Sequence, residues 1–292
     1  MRISIFTPVH KTHKFFDMCI DSICNQTFQD WEWVILDNAK SEDIGDIIRA
    51  GLKPESIEEY VRQYVKLKFE ARSIELMNKI KVYKQLDDCK NIGHLKNIAS
   101  RLCVGDIIVE QDYDDYLLPN ALDVISQAAD NTDADFFYTD WNNMQHNEMG
   151  QWETRVGRYD IDKACIIFQG RETPINVFGL QQINLQQLKE GVIPLHLRIW
   201  RREFLALIDG FDSGLFIADD YDIMYKSFLF GKCCRISYPC VVINYYHKNT
   251  TDTLDLEHCK KVGEEVYARY AKALNEKKEP LHIVTFIPKI LK

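Results

Sequence analysis

The 292-residue sequence lacks several features that would assign it to a common class. It has no run of about 18 apolar residues, so no segment is expected to span a membrane. It has no Walker motif and no Gly-x-Gly-x-x-Gly, which argues against P-loop and dinucleotide-dependent redox chemistry. The net charge is -8 and no region is strongly basic, so nucleic acid is not expected among its partners.

The cysteines also lack the spacing of a metal or disulfide framework. There are nine, an odd number, and no pair has Cys-x-x-Cys spacing. This pattern favours buried thiols in a reducing compartment over a zinc site or a secreted disulfide scaffold. The first residues are interrupted too early to form the apolar region of a signal peptide. We therefore expect a cytoplasmic protein, with peripheral contact at the inner membrane face left open.

Short β-branched and aromatic runs alternate with helical patterns along most of the chain, which predicts an α/β fold with a mostly parallel central sheet flanked by helices. We predict strands at 2–7, 33–36, 80–83, 106–109, 136–139 and 240–246. We predict helices at 16–23, 94–102, 120–129, 202–207, 221–230 and 256–274. Residues 41–78 are expected to form one or two amphipathic helices, and residues 141–195 irregular connections with short strands.

The C-terminal part is expected to differ from the rest. We divide the chain into a domain at 1–255 and a C-terminal amphipathic helix and tail at 256–292. Four apolar residues of the tail are interspersed with lysines, as in interfacial membrane segments. They are Phe286, Ile287, Ile290 and Leu291, with Lys289 and Lys292. The alternative is a chain end that packs on the domain.

Acidic and polar residues follow the predicted strands, where ligands collect in open parallel sheets. Asp112, Asp114 and Asp115 come directly after the strand at 106–109. Carboxylates this close repel one another unless a cation joins them, and oxygen ligands suit Mg²⁺ or Mn²⁺. The alternative for this cluster is a solvated acidic turn.

Three further positions are open to two interpretations. Asp219 and Asp220 open a helix, where aspartate serves either as an N-cap or as a catalytic group. His247 follows a strand and is either a metal or phosphate ligand or a structural histidine. Lys96 lies one turn into a helix, where it either contacts a phosphate or is simply exposed.

In order along the chain, these segments resemble the family 2 glycosyltransferases of the GT-A, Rossmann-like fold. The resemblance is carried by eight motifs, of which no single one is decisive. They are 5–11 (IFTPVHK), 22–32 (SICNQTFQDWE), 36–40 (LDNAK), 91–97 (NIGHLKN), 103–107 (CVGDI), 112–119 (DYDDYLLP), 210–222 (GFDSGLFIADDYD) and 245–250 (YYHKNT).

The resemblance implies a metal-dependent, inverting transfer of a sugar from a nucleoside-diphosphate sugar, most readily a UDP-sugar, to an acceptor hydroxyl. It implies Asp220 as the catalytic base, with Asp114 and His247 as ligands of Mn²⁺ or Mg²⁺. The nucleotide-binding residues it implies are Thr7, Pro8, Val9, Asp37, Asn38, Lys96, Asp112 and Tyr113. Weaker acceptor-side candidates are His196, Trp200 and Asp219.

The acceptor is expected to be a saccharide or a lipid-linked saccharide in surface polysaccharide or glycan synthesis. Two other functions compete with this one. A sugar-phosphate nucleotidyltransferase also uses metal-bound carboxylates, but it carries a glycine-rich basic loop that Thr7–Lys11 does not resemble. A non-catalytic nucleotide-sugar-binding module is opposed by the presence of Asp114 and Asp220.

Overall fold

A computed structural model describes the protein over most of its length. The described residues are 1–12, 14–45, 51–146, 152–154, 160–168, 171–178, 183–194, 196–245 and 255–289. The strands are β1 (Ile3–Val9), β2 (Trp31–Asp37), β3 (Ile80–Lys84), β4 (Ile107–Glu110), β5 (Tyr116–Leu117), β6 (Phe136–His146), β7 (Trp152–Thr154), β8 (Asp160–Phe168), β9 (Arg171–Phe178), β10 (Arg198–Arg201), β11 (Cys233–Tyr245) and β12 (Ile283–Phe286).

Helices connect these strands. They are α1 (Lys14–Cys24), α2 (Ile57–Lys68), α3 (Ser73–Lys79), α4 (Ile92–Arg101), α5 (Ala121–Asn131), α6 (Leu185–Lys189), α7 (Arg202–Leu207), α8 (Asp219–Phe230) and α9 (Leu256–Glu276). Two 3₁₀ turns, Ser41–Asp43 and Glu70–Arg72, complete the elements.

The strands form one mixed sheet whose main path runs β12-β11-β6-β10-β4-β1-β2-β3. Neighbours on this path are parallel except at β10, which is antiparallel to both β4 and β6. All residues of β2 and β4 are buried, as are six of the seven in β1. Parallel strands covered on both faces have this nearly continuous apolar character. The expected mostly parallel α/β sheet is therefore confirmed.

The elements differ from the sequence-based prediction mainly in the second half. The strand predicted at 136–139 extends to His146, and the strand predicted at 240–246 begins at Cys233. The four-residue strands β10 and β12 were not predicted. Residues 141–195, where irregular connections and short strands were predicted, contain the longer strands β8 and β9.

Among the described residues of the segment at 41–78, the first half contains the 3₁₀ turn Ser41–Asp43 and the second half contains the helices α2 and α3. Gly51 has φ of +64° and Pro54 follows it, and both residues oppose a continuous helix. α2 begins after Ser56, whose hydroxyl accepts the backbone N–H of Glu59 at 3.1 Å as an N-cap. The predicted apolar face of α2 is buried at Ile57, Tyr60, Val61 and Val65.

The C-terminal part contacts the same sheet. β12 pairs in parallel with the start of β11, and Ile283 lies opposite Cys233. Tyr270 of α9 donates its hydroxyl to Asp222 of α8 at 2.6 Å. The expected boundary at 255/256 stays a prediction, and the tail residues Ile290, Leu291 and Lys292 lie outside the described part. Among the described helices, none is long and apolar enough to cross a bilayer.

The loop before α8 packs closely on the N-terminus of α4. The N–H of Gly93 donates to the carbonyl of Leu215 at 3.0 Å, and Asn97 donates to the hydroxyl of Ser213 at 3.1 Å. A Cβ at Gly93 would overlap the carbonyl oxygen of Asp212. A glycine is therefore required for this close approach, which sets the position of α8.

We expect Gly93→Ala to lower the free energy of unfolding by about 2 kcal/mol, because a rigid backbone must move to admit the methyl group. Thermal melting checks this, with Gly263→Ala in α9 as the control. No atom lies within 4 Å of the Cβ position of Gly263, so its replacement should be neutral or stabilising by up to about 1 kcal/mol. Equal melting temperatures for the two variants would contradict the packing argument.

Candidate active site

Several strands end or begin at one edge of the sheet, and the candidate residues gather there. Val9 lies opposite Asp37 in the β1–β2 register, and Glu110 is the last residue of β4. The antiparallel strand β10 begins at the same edge, with Arg198 directly opposite Glu110. The loop at 111–115 leaves β4 from this edge. The carboxyl ends of the parallel strands thus form a polar rim, as expected for a ligand site.

The residues expected to bind the nucleotide lie together at the ends of β1 and β2. The buried hydroxyl of Thr7 accepts from the indole N–H of Trp33 at 2.9 Å. The Asp37 carboxylate accepts from the N–H of Ala39 at 3.0 Å and from Lys84 Nζ at 3.1 Å. Pro8 and Asn38 are half-buried and line the surface, while Val9 is fully buried.

An aromatic contact joins this group to the acidic loop. The rings of His10 and Tyr113 meet edge to face with centroids 5.0 Å apart, and the Tyr113 hydroxyl lies 3.5 Å from His10 Nε2. Tyr113 is buried and His10 is exposed. His10 follows the end of β1 within the first motif, but it was not among the predicted site residues.

The acidic loop is fixed by partners on two other elements. His196 Nε2 lies 3.2 Å from Asp112 Oδ2. Asn244 of β11 donates its backbone N–H to Asp115 Oδ1 at 2.8 Å and its side-chain amide to the Asp114 carbonyl at 2.5 Å. The interpretation as a freely solvated acidic turn is therefore wrong, because Asp115 is buried and the loop is held in place.

The charges of this loop affect one another. Burial raises the pKa of Asp115 well above its usual value, and the carboxylates of Asp114 and Asp112 add to this. Burial alone would also raise the pKa of Asp112, but the His196 imidazole, with Lys96 and Arg198, lowers it. Burial and the neighbouring carboxylates thus disfavour the ionised form of Asp115, while the neighbouring cations favour the ionised form of Asp112.

This set of donors fits a divalent cation. One ligand atom each from Asp112, Asp115 and His196 lies within 4.8 Å of the others. Carboxylate oxygens with one imidazole suit Mn²⁺ or Mg²⁺. Asp114, the expected ligand, is half-buried on the same loop, and His247, the other expected ligand, lies outside the described residues.

A buried ion network lies beside the acidic loop. Lys96 Nζ is 2.7 Å from Glu110 Oε1 and 2.8 Å from Asp219 Oδ2. Arg198 holds the same Glu110 through two nitrogens at 2.8 and 2.9 Å. These four side chains are at most 9% exposed. Burial opposes the charge on Lys96, but Asp219 and Glu110 outweigh it and raise its pKa.

Asp220 lies at the outer side of this network. Its side chain is 34% exposed, its Oδ1 accepts the N–H of Tyr221 at 2.9 Å, and its Oδ2 lies 3.8 Å from Arg198 Nη1. The N-cap residue of α8 is Ala218, in a left-handed conformation with φ of +61°. Asp219 and Asp220 are therefore the first helical residues, and the interpretation of either as the N-cap is wrong.

Two predicted site residues are placed differently from the expectation. Trp200 is fully buried and donates its indole N–H to Ser227 at 2.9 Å, so it belongs to the core and presents no surface to an acceptor. Lys96 is enclosed by two carboxylates, so it is neither an exposed lysine nor an uncommitted cation for a diphosphate.

Sequence reasoning missed Glu110 and Arg198. Glu110 ends an apolar strand just before Asp112. A carboxylate buried at such a position requires a cation or a hydrogen-bond donor beside it, and this was the signal that could have identified it. Arg198 lies in β10, and its partner became identifiable only from the antiparallel register that places it opposite Glu110. His196 was expected on the acceptor side, and it lies against the acidic loop.

Comparison with known proteins identifies the family. Residues 4–206, well over half of the chain, match the model of Glycosyl transferase family 2. The chain belongs to this family. The resemblance inferred from the motifs is thereby confirmed, and with it the enzyme class, a glycosyltransferase.

Two curated relatives from Escherichia coli are larger than this family 2 glycosyltransferase. A chondroitin synthase is 25% identical over 90% of this chain, and the match spans 32% of that protein. The O-antigen biosynthesis glycosyltransferase WbnJ is 32% identical over 41% of this chain and 39% of its own length. The matched segments thus span well under half of the length of each relative.

Solved structures share the fold at low sequence identity. S. aureus TarS 1-349 in complex with UDP-GlcNAc superposes with a TM-score of 0.62 at 15% identity, over 94% of this chain and 71% of that one. The mannosyltransferase PcManGT from Pyrobaculum calidifontis, in complex with GDP-Man and Mn²⁺, gives a TM-score of 0.52 at 16% identity, over 96% and 66%. The GT-A type of sheet expected from the sequence is confirmed.

We expect Asp115→Asn to stabilise the metal-free protein. A carboxyl with a raised folded-state pKa favours its protonated form, so stability is lost as the pH rises through that pKa, and the ionised form is unfavourable at pH 7. The asparagine still accepts the Asn244 N–H, so the melting temperature of the metal-free variant should lie above that of the wild type.

Thermal melting with chelator measures the stability of the metal-free protein, and melting with Mn²⁺ measures the stability gained from the metal. The wild type should gain more stability from Mn²⁺ than Asp115→Asn does, because a ligand that binds only the folded state stabilises it. Asp123→Asn is the control, since Asp123 accepts from Gln127 on α5 and not from the acidic loop. A lower melting temperature for metal-free Asp115→Asn would refute the repulsion.

Proposed function

We propose that this glycosyltransferase transfers a sugar from a nucleoside-diphosphate sugar, with UDP the favoured nucleotide, to an acceptor hydroxyl with inversion at the anomeric carbon. One observation carries the proposal. A loop rich in carboxylates and a part-exposed carboxylate, Asp220, lie at one edge of the sheet and are joined by the ion network of Lys96, Glu110, Arg198 and Asp219.

Known structures of the same fold support the donor class. TarS is known in complex with UDP-GlcNAc, and PcManGT with GDP-Man and Mn²⁺. GalNAc-T7, with UDP, GalNAc and Mn²⁺, superposes with a TM-score of 0.55 at 13% identity over 94% of this chain and 50% of that one. All three contain a nucleotide or a nucleotide sugar, and two contain manganese.

The nucleotide would lie across the ends of β1 and β2. The half-buried Pro8 and Asn38 would line this region, with Thr7, Val9 and Asp37 as the buried part of the strand ends, and Asp112 and Tyr113 would close it from the acidic loop. Asp37 is a hydrogen-bond acceptor for the N–H of a base, and Lys84 holds its carboxylate at 3.1 Å.

The acidic loop would hold Mn²⁺ or Mg²⁺ through Asp114 and His247, with Asp112, Asp115 and His196 as further donors. When bound, the cation supplies Lewis-acid neutralisation of the diphosphate leaving group. In an acidic protein of net charge -8, this neutralisation is needed for an anionic donor to bind.

Asp220 acts as the general base. Its carboxylate accepts the proton of the acceptor hydroxyl while the acceptor oxygen forms a bond to the anomeric carbon. The bond from that carbon to the diphosphate oxygen breaks, and its electron pair leaves with the nucleoside diphosphate. A single in-line displacement inverts the configuration. Asp219, the preceding residue, is held by Lys96, and His196 contacts Asp112 of the acidic loop.

The acceptor would be a saccharide or a lipid-linked saccharide, as suits the chondroitin synthase and O-antigen relatives. Release of nucleotide from a panel of nucleotide sugars with Mn²⁺ separates the candidate functions. A glycosyltransferase releases nucleoside diphosphate to water at a slow rate. A nucleotidyltransferase requires pyrophosphate or a nucleoside triphosphate, and a binding module releases nothing.

The C-terminal tail is proposed as a peripheral membrane contact, although β12 pairs with the sheet and Phe286 is half-buried. Ile287, which follows β12, is 75% exposed. Liposome flotation of the full chain and of a chain ending at 286 tests this contact. We expect the full chain to float with anionic vesicles and the shortened chain to float less, because apolar and basic residues are lost together. Equal flotation would rule out the contact.

We expect Asp220→Asn and Asp114→Asn to lose activity in different ways. Asp220→Asn keeps the size of the side chain and its bond to the Tyr221 N–H but accepts no proton, so turnover should fall by about 10² to 10⁴. Donor affinity should hardly change. Asp114→Asn should lose metal-dependent donor binding as well as turnover.

Calorimetry with UDP, with and without chelator, and turnover on the panel measure the two effects. Asp123→Asn again serves as the control for an unrelated carboxylate. A fully active Asp220→Asn would assign the base to another carboxylate, with Asp219 or Asp222 next in line. Equal UDP affinity with and without chelator would reject the metal-bridged donor.

A further inference from the structure

Arg198 and Glu110 form a buried ion pair in which the arginine also reaches a second carboxylate. The guanidinium of Arg198 is 3% exposed and holds both oxygens of Glu110, at 2.8 and 2.9 Å. Its third nitrogen, Nη1, faces Asp220 at 3.8 Å. The same arginine therefore bridges a fully buried carboxylate on β4 and a part-exposed carboxylate on α8.

Lys96 forms a similar bridge to Asp219, the residue before Asp220. Its ammonium joins Glu110 on β4 to Asp219 on α8 at 2.7 and 2.8 Å. Glu110 is thus the common anchor for two cations. Lys96 contacts Asp219 at 2.8 Å and so ties the first turn of α8 to the end of β4, while Arg198 faces Asp220 at the longer ion-pair distance of 3.8 Å.

Stability alone does not account for such a network. Burying several charges is expensive, and well-packed apolar residues of similar volume are commonly as stabilising as buried ion pairs. Ala218, just before the network, has a left-handed backbone that is unfavourable for a residue with a Cβ. The ion pairs therefore hold the start of α8 in a conformation that the chain would not otherwise favour.

We propose that Arg198, anchored by Glu110, is a positioning residue that fixes the Asp220 carboxylate toward the acceptor. This inference rests on the proposed function, in which Asp220 is the base. Arg198 does not contact the reacting atoms. It restricts the carboxylate to one orientation, and a misplacement of about 1 Å at a reacting group can slow a reaction by roughly 100-fold. The guanidinium is needed because its planar fork binds Glu110 with two nitrogens and leaves a third for Asp220.

The double variant Glu110→Gln/Arg198→Gln tests this role. It removes both charges together, so no buried charge loses its only partner, since Lys96 keeps Asp219. The substrate is the nucleotide sugar of the panel that the wild type cleaves fastest in the presence of Mn²⁺, and turnover is measured as released nucleoside diphosphate. We expect this turnover to fall by roughly 10- to 100-fold. The donor KM should stay within about twofold, because the network supports the base and not the nucleotide.

The same change in an Asp220→Asn background provides the decisive comparison. If Arg198 acts through Asp220, the triple variant should be as slow as Asp220→Asn alone, since groups that act as a unit are not additive. A further loss in the triple variant would show an independent effect and overturn the inference. Wild-type turnover in the double variant would also overturn it, while leaving Asp220 as the base.

A second buried pair provides the matched control. Arg235 binds Asp140 in bidentate fashion at 2.8 to 3.0 Å, and within the described residues its ion pairs are confined to Asp140. Asp140→Asn/Arg235→Gln should shift the melting temperature by a similar amount and keep turnover near that of the wild type. An equal loss of turnover in this control would mean that general loosening explains the effect.

Two further variants separate the remaining outcomes. Arg198→Lys retains the positive charge and decides the case if the double variant does not fold. It should melt near the wild type and still turn over roughly tenfold more slowly, because an ammonium does not reproduce the three-nitrogen geometry. Full activity of Arg198→Lys would contradict positioning by the guanidinium. Full activity of Asp220→Asn would show that Asp220 is not the base, and it would overturn the inference, which rests on that assignment.

Discussion

Mutual repulsion of carboxylates at one edge of the sheet is the constraint on which the rest of the site depends. Asp112, Asp114 and Asp115 follow β4, and Glu110 and Asp219 are buried nearby. Such a concentration of negative charge is tolerated only where cations or hydrogen-bond donors compensate it. Lys96 and Arg198 compensate the inner carboxylates, whereas burial and the neighbouring carboxylates raise the pKa of Asp115. A divalent cation, as proposed, would offset the repulsion that remains in the loop.

The antiparallel strand β10 makes the compensation geometrically feasible. In a purely parallel sheet, the strand beside β4 would also end at this edge, and the residue next to Glu110 would be the last one before a loop. β10 instead begins at this edge, so Arg198 points from a rigid strand toward Glu110 and α8. On its other side β10 pairs with β6, which fixes its position further. A site built on strands is held more precisely than one built on loops alone.

The sequence was sufficient to predict the parallel half of the sheet and the two acidic clusters. β1, β2 and β4 are apolar runs ending in polar residues, a pattern that depends only on local composition. The pairing of Arg198 with Glu110 was not predictable, because it depends on the register of strands 88 residues apart. The N-cap at Ala218 was missed for a related reason. Local propensity favours aspartate at that position, but the contacts of Lys96 place Asp219 inside the helix instead.

The placement of Lys96 bears directly on how a diphosphate would be neutralised. The sequence predicted that its ammonium would contact the donor, but it already has two carboxylate partners within 3 Å. Moving it to a phosphate would leave Glu110 and Asp219 with less compensation in a buried site, where unpaired charge is costly. In the proposed function the donor would therefore gain little from Lys96, and the charge of its diphosphate would be neutralised by a cation held on the acidic loop. A cation on Asp112, Asp114 and Asp115 would relieve the repulsion within the loop and offset the diphosphate at the same time, so that protein and donor favour the same ion.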